Sequence, residues 1–129
     1  MLAAMTVHFV PVERPRGSVG QGSKESRDPE ITAGYLRDAS GEVGQASALF
    51  RPESEADVAE ILARAHREQI AVTVVAGQTS TTASSVPSGG WVLSTERLSK
   101  QGEIDAAGLR ATCEAGVRPT CRAIRCRRL

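Results

Sequence analysis

Residues 48–75 read ALFRPESEADVAEILARAHREQIAVTVV, and their patterning decides the fold class. Val58, Ile61, Leu62 and Ala65 recur at helical spacing, which predicts a helix from about Ser54 to Gln69 with one apolar stripe. Pro52 and Ser54 mark its start. Ser54 and Asp57 have capping-box spacing, and Glu55 and Asp57 place negative charge at the positive end of the helix dipole. Arg64, His66, Arg67 and Glu68 fall on the polar side. The following run, Ile70 to Val75, is short and β-branched and reads as a strand buried on both faces. Ala48 to Pro52 reads as another strand. Strand, helix, strand over this span is a βαβ unit.

Outward from this unit, three more strands are predicted: Trp91–Ser94, Gly102–Asp105 and Leu109–Ala115, the last two joined by a hairpin loop at Ala106-Ala107-Gly108. In the last, Leu109, Ala111, Cys113 and Ala115 alternate with Arg110, Thr112 and Glu114, so one face is apolar and one polar. The expected architecture is α/β (α+β), a βαβ unit with a short mixed sheet. Residues 46–117 carry it. Residues 1–45 are rich in Gly, Pro, Ser and charge and read as a flexible lead-in, with a short helix near Pro29–Asp38 presenting Ile31, Tyr35 and Leu36. Residues 118–129, RPTCRAIRCRRL, change composition abruptly.

Composition excludes several function classes. The chain has 129 residues, one domain's worth. Aromatics are 3% of it, so the core is built from Ala, Val, Leu and Ile, and a stacking platform for single-stranded nucleic acid is not available. No apolar run is long enough to span a membrane. The start, MLAAMTVHFVPVERPRG, has its basic residues after the apolar stretch, the reverse of a signal peptide. The net charge of +1 hides an asymmetry: residues 118–129 hold five Arg, and residues 1–117 hold 11 basic and 15 acidic side chains, a net of −4. Three cysteines, Cys113, Cys121 and Cys126, fit a reducing, cytoplasmic setting, and their spacing matches no zinc pattern.

The segment that could carry chemistry is the loop Ala76–Ser85, placed directly after a strand. Its small residues let a backbone approach a ligand closely, its successive N–H groups can form an anion-binding concavity, and its Ser and Thr hydroxyls add donors. It holds no Lys or Arg, so phosphate charge would meet dipoles and hydroxyls. The same text also reads as a solvated Ser/Thr linker. It matches neither GxGxxG nor GxxxxGK[ST].

In order along the chain, Arg51-Pro52 with Ser54, Ile70-Ala71-Val72, Gly77 with Thr79 and Ser80, Val86-Pro87, Gly89-Gly90, Val92-Leu93-Ser94, Arg97-Leu98, Glu103-Ile104-Asp105 and Ala115-Gly116-Val117 resemble the start of a flavoenzyme domain. The family is that of vanillyl-alcohol oxidase and p-cresol methylhydroxylase, which includes the glycolate oxidase FAD-binding subunit and D-lactate dehydrogenases. The resemblance covers about seventy residues, roughly half of a domain-sized chain. It implies FAD as cofactor, with Ala76, Gly77, Gln78, Thr79 and Ser80 around the pyrophosphate and Thr82 and Ser84 lining the same site. Some family members attach FAD through a His in this loop; Thr79 stands there, which implies noncovalent FAD. In the full family, FAD takes a hydride equivalent from a 2-hydroxy acid or an alcohol.

The chain departs from the family pattern at named points. Consecutive glycines of the loop are replaced at Ala76 and Gln78, and a second glycine pair falls on Ala83-Ser84. If these positions need positive φ, a non-glycine costs about 1 kcal/mol at each. Val74-Val75 replaces Pro-Arg, and Ser94 stands at a frequent Asp. The family's second subdomain and substrate domain have no counterpart, and residues 118–129 read like a shifted reading frame. The expectation is the N-terminal part of an FAD-dependent oxidoreductase, inactive alone, completed by a complementary chain or by the remainder of the enzyme. The alternatives are a non-catalytic remnant or interaction module without FAD, and a binder of acidic partners through the Arg tail. Nucleic-acid binding is disfavoured by the acidic body.

Overall fold

The computed structural model describes residues 24–105, 107–108 and 110–118. The expected lead-in up to residue 23, Ala106 and Leu109 of the expected hairpin, and Cys121, Cys126 and the rest of the tail from residue 119 lie outside the described residues. The elements in chain order are β1 (Glu25–Ser26), α1 (Pro29–Ala33), β2 (Ala48–Phe50), α2 (Glu55–Arg67), β3 (Val72–Val75), β4 (Trp91–Ser94), β5 (Gln101–Asp105) and β6 (Arg110–Cys113).

A four-stranded mixed sheet has the order β1-β2-β4-β3. The pairs β2·β4 and β3·β4 are parallel, and β1 runs antiparallel to β2. The βαβ unit read from residues 48–75 is therefore present, but β4 inserts between its two strands. This corrects one expectation: the strand buried on both faces is β4, not the run ending at Val75. Every residue of β4 is buried, whereas β3 is a sheet edge with Val74 55% exposed. The β-branched run did specify a strand. Which strand became central depended on pairing across the polar segment between them, which periodicity does not encode.

The sheet buries one apolar layer on each face. Ala48, Phe50, Trp91 and Leu93 pack under Ile61 and Ala65 of α2. Phe50 and Trp91 meet with ring centroids 4.7 Å apart at 45°, and the Arg64 guanidinium lies 4.9 Å from the Trp91 ring. Arg64 is thus half-buried and not simply hydrated: its stem and head cover the aromatic pair while it ion-pairs with Glu25 and Glu68, both at 3.0 Å. The opposite face is Leu49, Val75 and Val92, covered by Tyr35 and Ala46. Each fully buried Leu or Val side chain here contributes about 1.5–3 kcal/mol.

Local chemistry sets the boundaries of α2. Ser54 is its N-cap, with the side chain accepting from Asp57 N at 3.2 Å. Asp57 accepts from Glu53 N at 3.0 Å and from Lys24 Nζ at 2.7 Å, which ties β1 to the helix start. The short helix expected near residues 29–38 is Pro29–Ala33, capped by Asp28 through Glu30 N at 2.9 Å. β5 and β6 form a separate antiparallel pair with a bulge between Gln101 and Ile104. Glycine is required where β4 begins: Gly90 has φ +69°, and a Cβ there would collide with the Ala71 carbonyl.

Candidate functional site

Parallel strands β2, β4 and β3 end side by side at Phe50, Ser94 and Val75. In parallel sheets the carboxyl ends of the strands are where ligand crevices form. The loop that follows Val75 is anchored at both ends by groups from the segment after α1.

At the near end Gln78 adopts φ 55°, and its side-chain Nε2 donates to the carbonyls of Gly34 at 3.0 Å and Arg37 at 2.7 Å. At the far end the Asp38 carboxylate accepts from Ser85 Oγ at 3.1 Å and Ser85 N at 3.4 Å, and also from Ser40 N at 2.9 Å. The Ser40 hydroxyl first, then Ser85, holds the Asp38 carboxyl well below the usual carboxylate range, at about 2. The loop then leaves through Gln45 N, which donates to Pro87 O at 2.9 Å.

Between the anchors, Ser80 Oγ is a hub. It accepts from Ser84 Oγ at 2.8 Å, Thr82 N at 3.2 Å and Ser84 N at 3.3 Å. The structure therefore gathers Ser80, Thr82 and Ser84 into one hydroxyl cluster. Ala76, Gly77, Thr79, Thr82 and Ser84 are exposed on the loop, and Ser80 is half-buried. Gln78 is different: its carboxamide is spent on the Gly34 and Arg37 carbonyls. Of the four positions where glycine is replaced, Ala76, Gln78, Ala83 and Ser84, two carry left-handed backbone, Gln78 at φ 55° and Ala83 at φ 57°. Gly77 does not; a Cβ there would meet only Thr79 Cγ2 at 3.7 Å.

Among the described residues, two buried side-chain donors at these strand ends lack partners: Arg51 Nε, just after β2, and Thr95 Oγ1, just after β4. Buried donors are ordinarily satisfied, so unpaired ones at the carboxyl ends of strands that also carry a hydroxyl-rich loop match what an anionic group needs. By that test the residues present fit the pyrophosphate of a dinucleotide. Sequence reading missed Asp38 and Arg51. Asp38-Ala39-Ser40 does have the spacing of a carboxylate that hydrogen-bonds its own backbone two residues on. Arg51 falls inside the expected strand Ala48 to Pro52 and the expected helix start, and a cation directly after three apolar strand residues is the signal for it.

Residues 46–120 match the protein family described as FAD binding domain. No curated protein matches the sequence. Among solved structures, alkyldihydroxyacetonephosphate synthase in two crystal forms superimposes with TM-scores of 0.69 and 0.71 at 11% and 12% identity, covering 81% and 98% of this chain. 6-Hydroxy-D-nicotine oxidase from Arthrobacter nicotinovorans superimposes with a TM-score of 0.62 at 21% identity over 81% of this chain. These likenesses are of fold. The chain spans 24%, 27% and 23% of those three structures, about a quarter of their length.

Proposed function

The chain belongs to the FAD binding domain family, and on that basis we propose that it supplies part of the FAD cradle of a flavin-dependent oxidoreductase. Residues 46–117 form the partial domain, and Ala76, Gly77, Gln78, Thr79, Ser80, Thr82 and Ser84 surround the pyrophosphate. The observation that supports this most is the loop between Gln78 and Asp38, pinned at both ends and left open over its hydroxyl cluster. Backbone N–H groups of Gly77 to Ser80 and the hydroxyls of Thr79, Ser80 and Thr82 are the donors offered to phosphate oxygens, while the Ser84 hydroxyl donates to Ser80 and holds the cluster together. Gln78 contributes through its backbone, while its side chain orients the loop.

Thr79 stands where a His would carry a covalent link, so FAD is held noncovalently. When bound, FAD supplies the two-electron acceptor for oxidation of a 2-hydroxy acid or an alcohol. The chain's own part is to bind and orient. Because it spans about a quarter of its structural neighbours, turnover requires a complementary chain or the remainder of the enzyme. Among the described residues no helix is long and apolar enough to cross a membrane, and the low, odd cysteine count favours the cytoplasm.

A second reading has a specific observation behind it. Gln78 and Ala83 hold left-handed backbone that glycine adopts without strain, as in a remnant or interaction module that no longer binds FAD. Titrating the purified chain with FAD and following flavin fluorescence separates the two. Saturable quenching supports the cradle; a folded sample that leaves the fluorescence unchanged supports the remnant.

A further inference from the structure

Arg51 is 5% exposed, and its Nε has no hydrogen-bond partner. No ion pair among the described residues includes it. An arginine cannot escape burial by losing its proton. A buried guanidinium with an unpaired Nε and no ion pair among the described residues is unfavourable to the fold unless a further group neutralises it.

Its position says what that group is. Arg51 N donates to Lys24 O at 2.8 Å, continuing the β1·β2 pairing one residue past Phe50. Strand alternation then puts Arg51 on the face of Leu49, the layer that Val92, Val75 and Tyr35 complete. The loop after Val75 sits against that same side, because Gln78 bonds to Gly34 and Arg37 on either side of Tyr35 and Leu36. One strand, β4, separates Arg51 from the loop's first residue, a backbone separation of about 10 Å. A long guanidinium side chain covers much of that gap. Thr95 Oγ1, the second unpaired buried group, lies at the end of the intervening strand.

We infer that Arg51 is the cationic partner of a bound pyrophosphate, facing it from across β4 while the Gly77–Ser80 loop holds it from the other side. The loop carries no Lys or Arg, and Arg51 is the full positive charge that directly follows a strand end on the loop's side of the sheet. The inference rests on the FAD reading for the identity of the dinucleotide but not for the anion site itself. It carries a sign that a structural arginine would not show: the empty protein is destabilised by Arg51, and the loaded protein depends on it.

The test uses the full chain and the variants Arg51→Met and Arg51→Gln, with FAD and inorganic pyrophosphate as probes. Without ligand, at least one variant melts above the wild type. Both probes raise the wild-type melting temperature, and the variants bind them roughly tenfold or more weakly. Wild-type affinity falls with added salt, and the variants' residual affinity falls less steeply. Variants that both melt lower without ligand, or that both fail to fold, assign Arg51 to the fold and overturn the proposal. So does unchanged pyrophosphate affinity, or a wild type that binds neither probe. A wild type stabilised by pyrophosphate but not FAD, with that effect lost in the variants, sinks the FAD reading and leaves the anion site standing.

Discussion

The side-chain amide of Gln78 donates to the backbone carbonyl of Arg37 at 2.7 Å, across 41 residues of sequence. This bond joins the loop after β3 to the segment after α1, and it is made by a residue whose own backbone is left-handed. Two effects oppose each other at this position. A non-glycine at φ 55° is strained by about 1–2 kcal/mol, and the two exposed side-chain hydrogen bonds return about 0.5–1.5 kcal/mol each.

Gln78→Ala keeps the strain and loses the bonds, so it is expected to destabilise by about 1–2 kcal/mol. Gln78→Gly loses the bonds and the strain together and is expected to lie within about 1 kcal/mol of the wild type. Urea denaturation of the three proteins checks the order. Equal stabilities for the Ala and Gly variants would show that the left-handed backbone is not strained. Ala83→Gly sheds similar strain with no side-chain bond to lose, and it is expected to be neutral or stabilising by up to about 1 kcal/mol.

Gly77 and Gly90 are expected to respond oppositely to the same substitution. Gly77→Ala meets only a van der Waals neighbour and no positive φ, so it stabilises by about 0.4–1 kcal/mol through the unfolded chain. Gly90→Ala places a Cβ on the Ala71 carbonyl at φ +69°. It is expected to destabilise by about 2 kcal/mol or more. Thermal melts followed by circular dichroism read both.

The acid limb of stability reports the loop anchor. Asp38 sits at about 2 in the folded protein against an ordinary value of 3.8, as does Asp57. A depressed folded value means that the stabilisation is present above about pH 4 and lost as pH falls through about 2. Asp38→Asn is expected to flatten the loss of stability between pH 4 and 2, leaving the share that belongs to Asp57. Melting temperatures across that range check it; an unchanged acid limb would show that the Asp38–Ser85 contact does not form in solution.

Trp91→Ala removes the ring that packs on Phe50 and supports Arg64. The expected loss is about 3–5 kcal/mol, enough to unfold much of a marginally stable domain. Trp91→Phe keeps an aromatic partner and is expected to lose less than half of that. Solubility and a cooperative melt distinguish the two.

The helix Glu55–Arg67 was legible because its signals are local: the Ser54 cap, the acidic first turn and the apolar stripe through Ile61 and Ala65. The strands at Ala48, Val72 and Trp91 were legible as β-branched or apolar runs. Their order was not. That Trp91–Ser94 lies between the other two depends on long-range pairing that leaves no periodic trace. The loop Ala76–Ser85 could be picked out by composition, but its anchors could not. Asp38 and Gln78 lie 40 residues apart in sequence, and nothing local says that one segment carries the carboxylate and carbonyls that fix the other. Arg51 illustrates the same limit. Its charge is visible in the text, but its burial and unpaired Nε appear only once β2 lies beside β4.

The most direct test of the cradle is calorimetric titration of FAD into the wild-type chain and into Gly77→Trp. A Cβ at Gly77 meets only Thr79 Cγ2, at an ordinary van der Waals distance of 3.7 Å, so the substitution is expected to crowd the loop and leave the sheet in place. The account predicts saturable binding to the wild type, and loss of binding by a Gly77→Trp protein that melts at the wild-type temperature. Equal FAD affinity in the two proteins would contradict it, because the dinucleotide would then lie somewhere other than over Gly77 to Ser80.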